Sequence, residues 1–358
     1  MIYYCILLIL FFFSFLELSK IQKVHKLYIL FTVLVMFVVI GGLRFEVGVD
    51  WFSYKDIFRD ITNKTASTYP LEPLYILFNL IIKDIGGSYQ LVVFSVALIA
   101  ITLKLTTYFK YSPYVMASLM VYLSVQFMAY ELNGVRQGLA VGIAYTSIGF
   151  LLQRRLVPYL IIVGIACMVH YSAIIFLPFY FIANKEIRLS VINIGIFGSL
   201  LIGIFLQSLL KNLITNHLTG DMYLAAKVLS YSEDDTYGES ASLGFSAVHR
   251  LVIFYIFLLN RGKFSISDKF YRLLLNAYFI SLLIYFLLSP IQILAGRLGL
   301  YYRVADVFII ALFLDLGKDL KTKFIILVLI ALYCYWGVRT NLVLPDNGLI
   351  PYKNFYLK

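Results

Sequence analysis

Long apolar runs separated by short polar stretches recur along the whole chain. Runs of this length match the roughly 30 Å of hydrocarbon that a helix must cross, and a backbone in lipid has to satisfy its own hydrogen bonds, so the pattern predicts a helical bundle. Twelve membrane segments are expected, near residues 2–17, 27–43, 89–107, 113–130, 134–152, 156–170, 171–183, 190–208, 247–260, 270–289, 298–316 and 324–340. The first run, from Ile2 to Leu16, has neither a basic stretch before it nor a small-residue cleavage site after it, so it reads as a retained segment. The fold class expected is therefore an all-α polytopic membrane protein, with residues 1–358 forming one integral membrane domain.

Three places depart from the simple alternation. The apolar run from Leu156 to Ala183 is too long for one ordinary helix and is interrupted by His170 and Pro178. It predicts two short limbs, the second re-entrant or crossing where the membrane is thin. The connections 44–88 and 209–246 are long where short ones are the norm, and both fall on the same side. The first carries an apolar run after Pro73, too short to cross and expected to lie as a helix at the interface. The second is acidic at Glu233-Asp234-Asp235.

Composition sharpens this picture by exclusion. With 61% hydrophobic, 17% aromatic and 14% charged residues, the chain has too little polar surface to cover a soluble globule. The net charge of +11 looks at first like a nucleic-acid footprint, but the basic residues are distributed by loop. One alternate set of loops, with Lys104, Lys110, Arg154, Arg155, Lys185, Arg188, Arg261, Arg272 and Lys318 among its residues, carries all of the excess. The positive-inside rule places that set in the cytoplasm and both termini outside, and leaves no reason to invoke nucleic acid. Cys5, Cys167 and Cys334 sit in apolar runs without metal or disulfide spacing and read as small buried hydrophobes.

With that topology, helices starting at Gly134, Tyr171, Ala247 and Leu298 have their N-termini outside, close to Arg136, His170, Arg250 and Arg297. A cation at a helix N-terminus opposes the macrodipole, and a bound polyanion would resolve the conflict. Arginine forks and helix-start amides suit a pyrophosphate, and Arg44 at the outer end of the second segment completes the set. The structural alternative is that these arginines snorkel to lipid phosphates or pair with local acids. Arg303 and Asp306 stand three apart and are expected to neutralise each other.

Asn133, Arg136, Gln137 and Ala140 share one helix face. His170 is either a hydrogen-bonded structural residue or a proton acceptor, and Asp50 and Glu72 are the rival carboxylate bases. Trp51, Tyr54, Tyr301 and Tyr302 are either interfacial belt aromatics or platforms for sugar faces. Tyr54, Glu72, Asn133, Gln137, Tyr301 and Tyr302 are thus the candidates for positioning a sugar. No Walker loop, zinc motif or dinucleotide fingerprint occurs, so neither cofactor nor metal is expected.

Several stretches together resemble the EpsG-type branch of the Wzy polysaccharide repeat-unit polymerases. They are Gly42-Leu43-Arg44-Phe45 with Val47-Gly48-Val49-Asp50 and Tyr54; Glu72-Pro73-Leu74-Tyr75; Asn133-Gly134-Val135-Arg136-Gln137; and His170-Tyr171-Ser172-Ala173 leading to Leu177-Pro178. Arg297 with Tyr301-Tyr302 and the closing Pro351-Tyr352-Lys353 match more weakly, and residues 185–245 show no family signature.

The resemblance implies a GT-C-like membrane glycosyltransferase. It would move a growing glycan from undecaprenyl pyrophosphate to the non-reducing end of a new lipid-linked repeat unit, outside the cytoplasmic membrane. It also implies a chain-length-regulating copolymerase as a possible partner beside membrane lipids. On this reading Arg44, Arg136, Arg250 and Arg297 hold the pyrophosphate and stabilise its departure without metal, and His170 or Asp50 accepts the proton of the attacking hydroxyl. An O-antigen ligase would share the donor and differ in acceptor. A flippase would want charge along a midplane path and related halves, and no repeat is visible.

Overall fold

A computed structural model of the chain describes residues 1–19, 23–217, 244–343 and 348–356. In chain order the helices are α1 (Ile2–Leu18), α2 (Lys23–Gly42), α3 (Trp51–Asp60), α4 (Pro73–Asp84), α5 (Tyr89–Tyr111) and α6 (Val115–Tyr122), which continues as a π-helical run, Leu123–Glu131. Next come α7 (Val135–Thr146), α8 (Ile148–Leu152) and α9 (Leu156–Val169), a 3₁₀ turn (Tyr171–Phe176), α10 (Phe179–Ile182) and α11 (Leu189–His217). The last five are α12 (Phe245–Leu259), α13 (Asp268–Leu287), α14 (Gln292–Gly299), α15 (Val304–Leu312) and α16 (Leu320–Val343). Among the described residues no β-strand forms, only an isolated antiparallel bridge between Arg44 and Asn354.

Local chemistry explains the boundaries. Pro73 opens α4 at a position where its missing N–H costs nothing. Ser267 caps α13 by accepting from the Phe270 amide. Among the described residues six helices are long and apolar enough to cross a membrane: His25–Gly42, Tyr89–Tyr111, Val135–Leu152, Leu189–Gln207, Asp268–Leu287 and Leu320–Val343. Shorter apolar helices lie at Ile2–Leu18, Val115–Glu131, Leu156–Val169, Tyr171–Ile182 and Ser246–Leu259. The interruption expected at His170 is present: α9 ends at Val169, His170 is extended, and the chain continues as the 3₁₀ turn.

Three expectations need correction. The segment expected at 298–316 is not one helix, because α14 ends at Gly299 and α15 begins only at Val304. Arg297 accordingly sits in the last turn of α14, where the helix dipole favours a cation, and not at a helix start. Lys104 is not a loop residue: it lies inside α5, 1% exposed, in an ion pair with Glu131. Cys5 is exposed on α1, while Cys334 is buried. The acidic stretch Glu233-Asp234-Asp235 lies outside the described residues.

The chain forms two compact units, one of residues 1–177, 263–266 and 306–358, the other of residues 178–262 and 267–305. In the first, α5 packs between α2 and α7 at small residues: a Cβ on Gly142 would lie 3.0 Å from the Ala100 carbonyl, and one on Gly41 would lie 3.3 Å from Ile101. In the second, α11 lies along α13, with Gly195 against Phe279 and Gly203 against the Phe286 carbonyl. Asn276 on α13 donates to the carbonyls of Ile182 and Lys185, both at 2.8 Å, and so fixes the turn after α10.

The expected long connection after α2 is built, not loose. Arg44 is 1% exposed, and its guanidinium donates to the carbonyls of Gly41 (3.0 Å), Val47 (3.2 Å) and Glu131 (2.6 Å). Gly48 has φ +95 and lies against residues 132–133, where a Cβ would come within 2.0 Å of the Leu132 carbonyl oxygen. Asn133 accepts from the Val49 amide at 3.0 Å. The segment before the C-terminus closes over the same place, with Phe45 N donating to Lys353 O and Phe355 N to Leu43 O.

Gly48→Ala therefore combines a positive φ with a backbone collision. It should destabilise the protein by about 2 kcal/mol or more, read as a lower thermal midpoint in detergent, whereas Gly86→Ala, at φ +75 with open space around it, should cost less.

Candidate functional site

The side chains that sequence reading singled out in the first half of the chain converge around Arg136. It is the second residue of α7, which starts when the chain leaves the π-helical run through Asn133-Gly134. Its Nη1 lies 2.5 Å from Glu72 Oε2, and both side chains are 17% exposed, so water reaches the pair. Glu72 immediately precedes Pro73, which holds it extended (φ −70, ψ 139) and turns it toward α7. The other carboxylate oxygen, Oε1, accepts from the Tyr171 amide at 2.9 Å. One carboxylate thus joins the start of α4, the first turn of α7 and the 3₁₀ turn after α9.

Two tyrosines form the floor under the guanidinium. The Arg136 Cζ stands 5.6 Å from the ring centroids of both Tyr54 and Tyr75, which meet edge-on 6.1 Å apart. Each ring face attracts the cation. Tyr75 is 1% exposed and Tyr54 7%, so neither is an interfacial belt residue or an open sugar platform; both are supports for Arg136. Burial raises the Tyr54 phenol above its ordinary pKa, Arg136 pulls it down, and Asp50, one turn earlier at the start of α3, adds to the rise. The phenol therefore stays protonated at neutral pH.

The Arg136 Nε is buried without an acceptor. An unmet buried donor costs about 1–3 kcal/mol, and an anionic oxygen is the natural group to remove that cost. His170 adjoins the site through Ser172: its Nδ1 lies 2.8 Å from Ser172 Oγ and accepts from the Ser172 amide at 3.3 Å. Gln137, the neighbour of Arg136, donates to the same Ser172 Oγ at 3.3 Å. With Nδ1 acting as acceptor, the neutral ring carries its proton on Nε2, and the lone pair a base would use is already engaged.

Arg44 and Asn133 take different parts. The Arg44 guanidinium is committed to three carbonyls and lies 5.7 Å from the Trp51 ring centroid, so it works as an internal clamp. Asn133 is committed to backbone, accepting from Val49 N and donating to Met128 O. In the second unit Arg250 lies on the second turn of α12, 4.7 Å from the Tyr285 ring centroid, and its Nε is likewise buried without an acceptor. Tyr301 and Tyr302 are buried, Tyr302 edge-on to Phe179 at 5.3 Å, and present no open ring face. Among the described residues no group of three or more His, Cys, Asp or Glu side chains could hold a metal ion.

The model of the EpsG family matches residues 26–354, nearly the whole chain. The chain belongs to the EpsG family. The amylovoran biosynthesis protein AmsC of Erwinia amylovora is 23% identical over 339 residues, an alignment that covers 89% of this chain and 86% of the relative. No solved structure matches.

Two participants in this EpsG-family site were not singled out from sequence. Tyr75 stands in a quoted motif, but nothing in its spacing pairs it with Tyr54 beneath an arginine. Ser172 follows His170 in another, and only the 3₁₀ turn brings its hydroxyl back to the imidazole. The site predicts its own dependence on Glu72. Glu72→Ala leaves the Arg136 guanidinium without a carboxylate and the Tyr171 amide without an acceptor, and should lower stability by about 1–3 kcal/mol; Glu72→Gln, which can still accept from Tyr171, should lose less. Thermal unfolding of the purified variants in detergent checks the order.

Proposed function

We propose that this EpsG-family protein polymerises oligosaccharide repeat units carried on polyprenyl pyrophosphate at the external face of the cytoplasmic membrane. The observation that carries the reading is the guanidinium of Arg136. It is oriented by a carboxylate, supported on two tyrosines and left with a buried Nε donor unmet. A site built this way suits a phosphate oxygen, since a fixed arginine needs no reorganisation as charge develops on a leaving group. The family match over residues 26–354 supports the class of reaction, and so does similarity to a protein named for amylovoran biosynthesis.

In the proposed reaction a sugar hydroxyl at the non-reducing end of a new lipid-linked unit attacks the anomeric carbon of the growing glycan. The bond from that carbon to the pyrophosphate oxygen breaks, and the electron pair leaves with the polyprenyl pyrophosphate. Arg136 stabilises the departing charge, and Glu72 with Tyr54 and Tyr75 holds it in place. Arg250 on α12 also has a buried Nε without an acceptor, as Arg272 has, and is proposed as a further phosphate-binding residue. The proton of the attacking hydroxyl goes to a nearby base. Asp50 suits that role better than His170, because the His170 Nδ1 is taken up by Ser172. Undecaprenyl is the expected carrier, and a copolymerase that sets chain length is the expected partner.

A strain lacking the protein should show its surface glycan as one repeat unit in place of a ladder, and the wild-type gene should restore the ladder. Arg136→Ala, expressed at the wild-type level, should fail to restore it, whereas Arg154→Ala at the turn before α9 should restore it fully. An unchanged ladder with Arg136→Ala would contradict the reading.

A further inference from the structure

Lys104 and Glu131 are 1% and 2% exposed and form an ion pair inside the bundle. The Tyr122 hydroxyl adds a hydrogen bond to Glu131 Oε1 at 3.1 Å, and Lys104 Nζ lies 6.0 Å from the Tyr122 ring centroid. Removing two charges from water is costly, and apolar residues of similar volume often serve stability as well, so stability alone does not account for such a pair.

Its surroundings point to another role. Glu131 ends the π-helical run, and a π-helix widens the backbone where an ordinary α-helix would have continued. Its carbonyl is the acceptor of the 2.6 Å bond from the buried Arg44. Its carboxylate faces the first turn of α7: a Cβ on Gly138 would lie 3.1 Å from Glu131 Oε2 and 2.9 Å from the Tyr130 carbonyl. Between Glu131 and Gly138 lie Asn133, tied to the Val49 amide, and Arg136. The short stretch that carries Arg136 is therefore held at both ends by groups that meet at one carboxylate.

We propose that the Lys104–Glu131 pair is a positioning device for Arg136: it sets where the π-helical run ends and α7 begins, and so the height at which the guanidinium is presented to its polyanion. Lys104 and Glu131 touch no substrate. They act through the 131–138 backbone, and the inference rests on the polymerase reading only for its kinetic readout.

The double variant Lys104→Met/Glu131→Leu tests this, because it removes both charges together and leaves no buried ion unpaired. It should accumulate in membranes and unfold within a few degrees of the wild-type temperature, since only the Tyr122 hydroxyl loses a partner. Amide hydrogen exchange across residues 131–138 should rise, with α2 and α16 unaffected. With a lipid-linked repeat unit as substrate, kcat should fall about 10- to 100-fold, the scale of an ångström-sized misplacement, with KM little changed. Wild-type exchange at 131–138 together with wild-type kcat would overturn the proposal.

If the double variant does not accumulate, Gly138→Ala decides. It keeps both charges but presses on the Glu131 carboxylate and the Tyr130 carbonyl, and it should reproduce the kcat loss and the raised exchange; unchanged values overturn the proposal. Failure of the wild-type protein to extend the substrate would count against the polymerase reading, and the exchange measurement would still judge the positioning role.

Discussion

The Glu72 carboxylate has two oxygens and two fixed partners, the Arg136 guanidinium and the Tyr171 amide, and that division organises the site. A carboxylate serving a cation alone would leave Arg136 free to swing with its own side chain. Serving the amide as well, it locks the helix that begins at Pro73 to the turn that follows His170, and Arg136 is held between them. The partial exposure of the pair matters too. Fully buried, it would be a closed structural bridge; at 17% exposure on each side it remains open to a ligand while the tyrosines keep the rest of the guanidinium dry.

Two of the arginines in the first unit have opposite fates. Arg44 spends its donors on three carbonyls and stabilises a connection between α2, α3 and the π-helical run. Arg136 keeps a donor in reserve. From sequence the two look equivalent, each an arginine at the end of an apolar run beside a glycine. What separates them is the backbone around them: the turn at Gly41–Gly48 folds back and offers carbonyls, whereas α7 has already paired its own. A free donor on a rigid mount suits a bound anion, and one engaged by backbone carbonyls suits a fold.

The helices were legible because their signal is the length of an apolar run, which the bilayer dictates without help from tertiary contacts. The break at His170 was legible for the same reason, since a polar residue and a proline interrupt a run otherwise too long. Lys104 was misplaced because a charge near the end of an apolar run resembles a loop cation until its partner is found, and Glu131 is distant in sequence. The break between Gly299 and Val304 was hidden by continuous hydrophobicity. Glu72, Arg136 and His170 were each visible as chemistry in lipid, but their meeting depends on three chain crossings that no local pattern encodes. The family motifs proved to be contact points: the Gly48 turn meets Asn133, and Glu72 meets both Arg136 and Tyr171.

The central claim is that Arg136 holds a pyrophosphate, and the most direct measurement of it is binding without turnover. Native mass spectrometry of the purified protein with added polyprenyl pyrophosphate, compared with the same lipid bearing a hydroxyl in place of the pyrophosphate, isolates the headgroup contribution. If Arg136 holds the pyrophosphate, wild-type protein retains the pyrophosphate lipid in preference to the alcohol, and Arg136→Ala loses this preference while Arg44→Lys keeps it. Equal retention of both lipids by the wild-type protein, or an undiminished preference in Arg136→Ala, would contradict it.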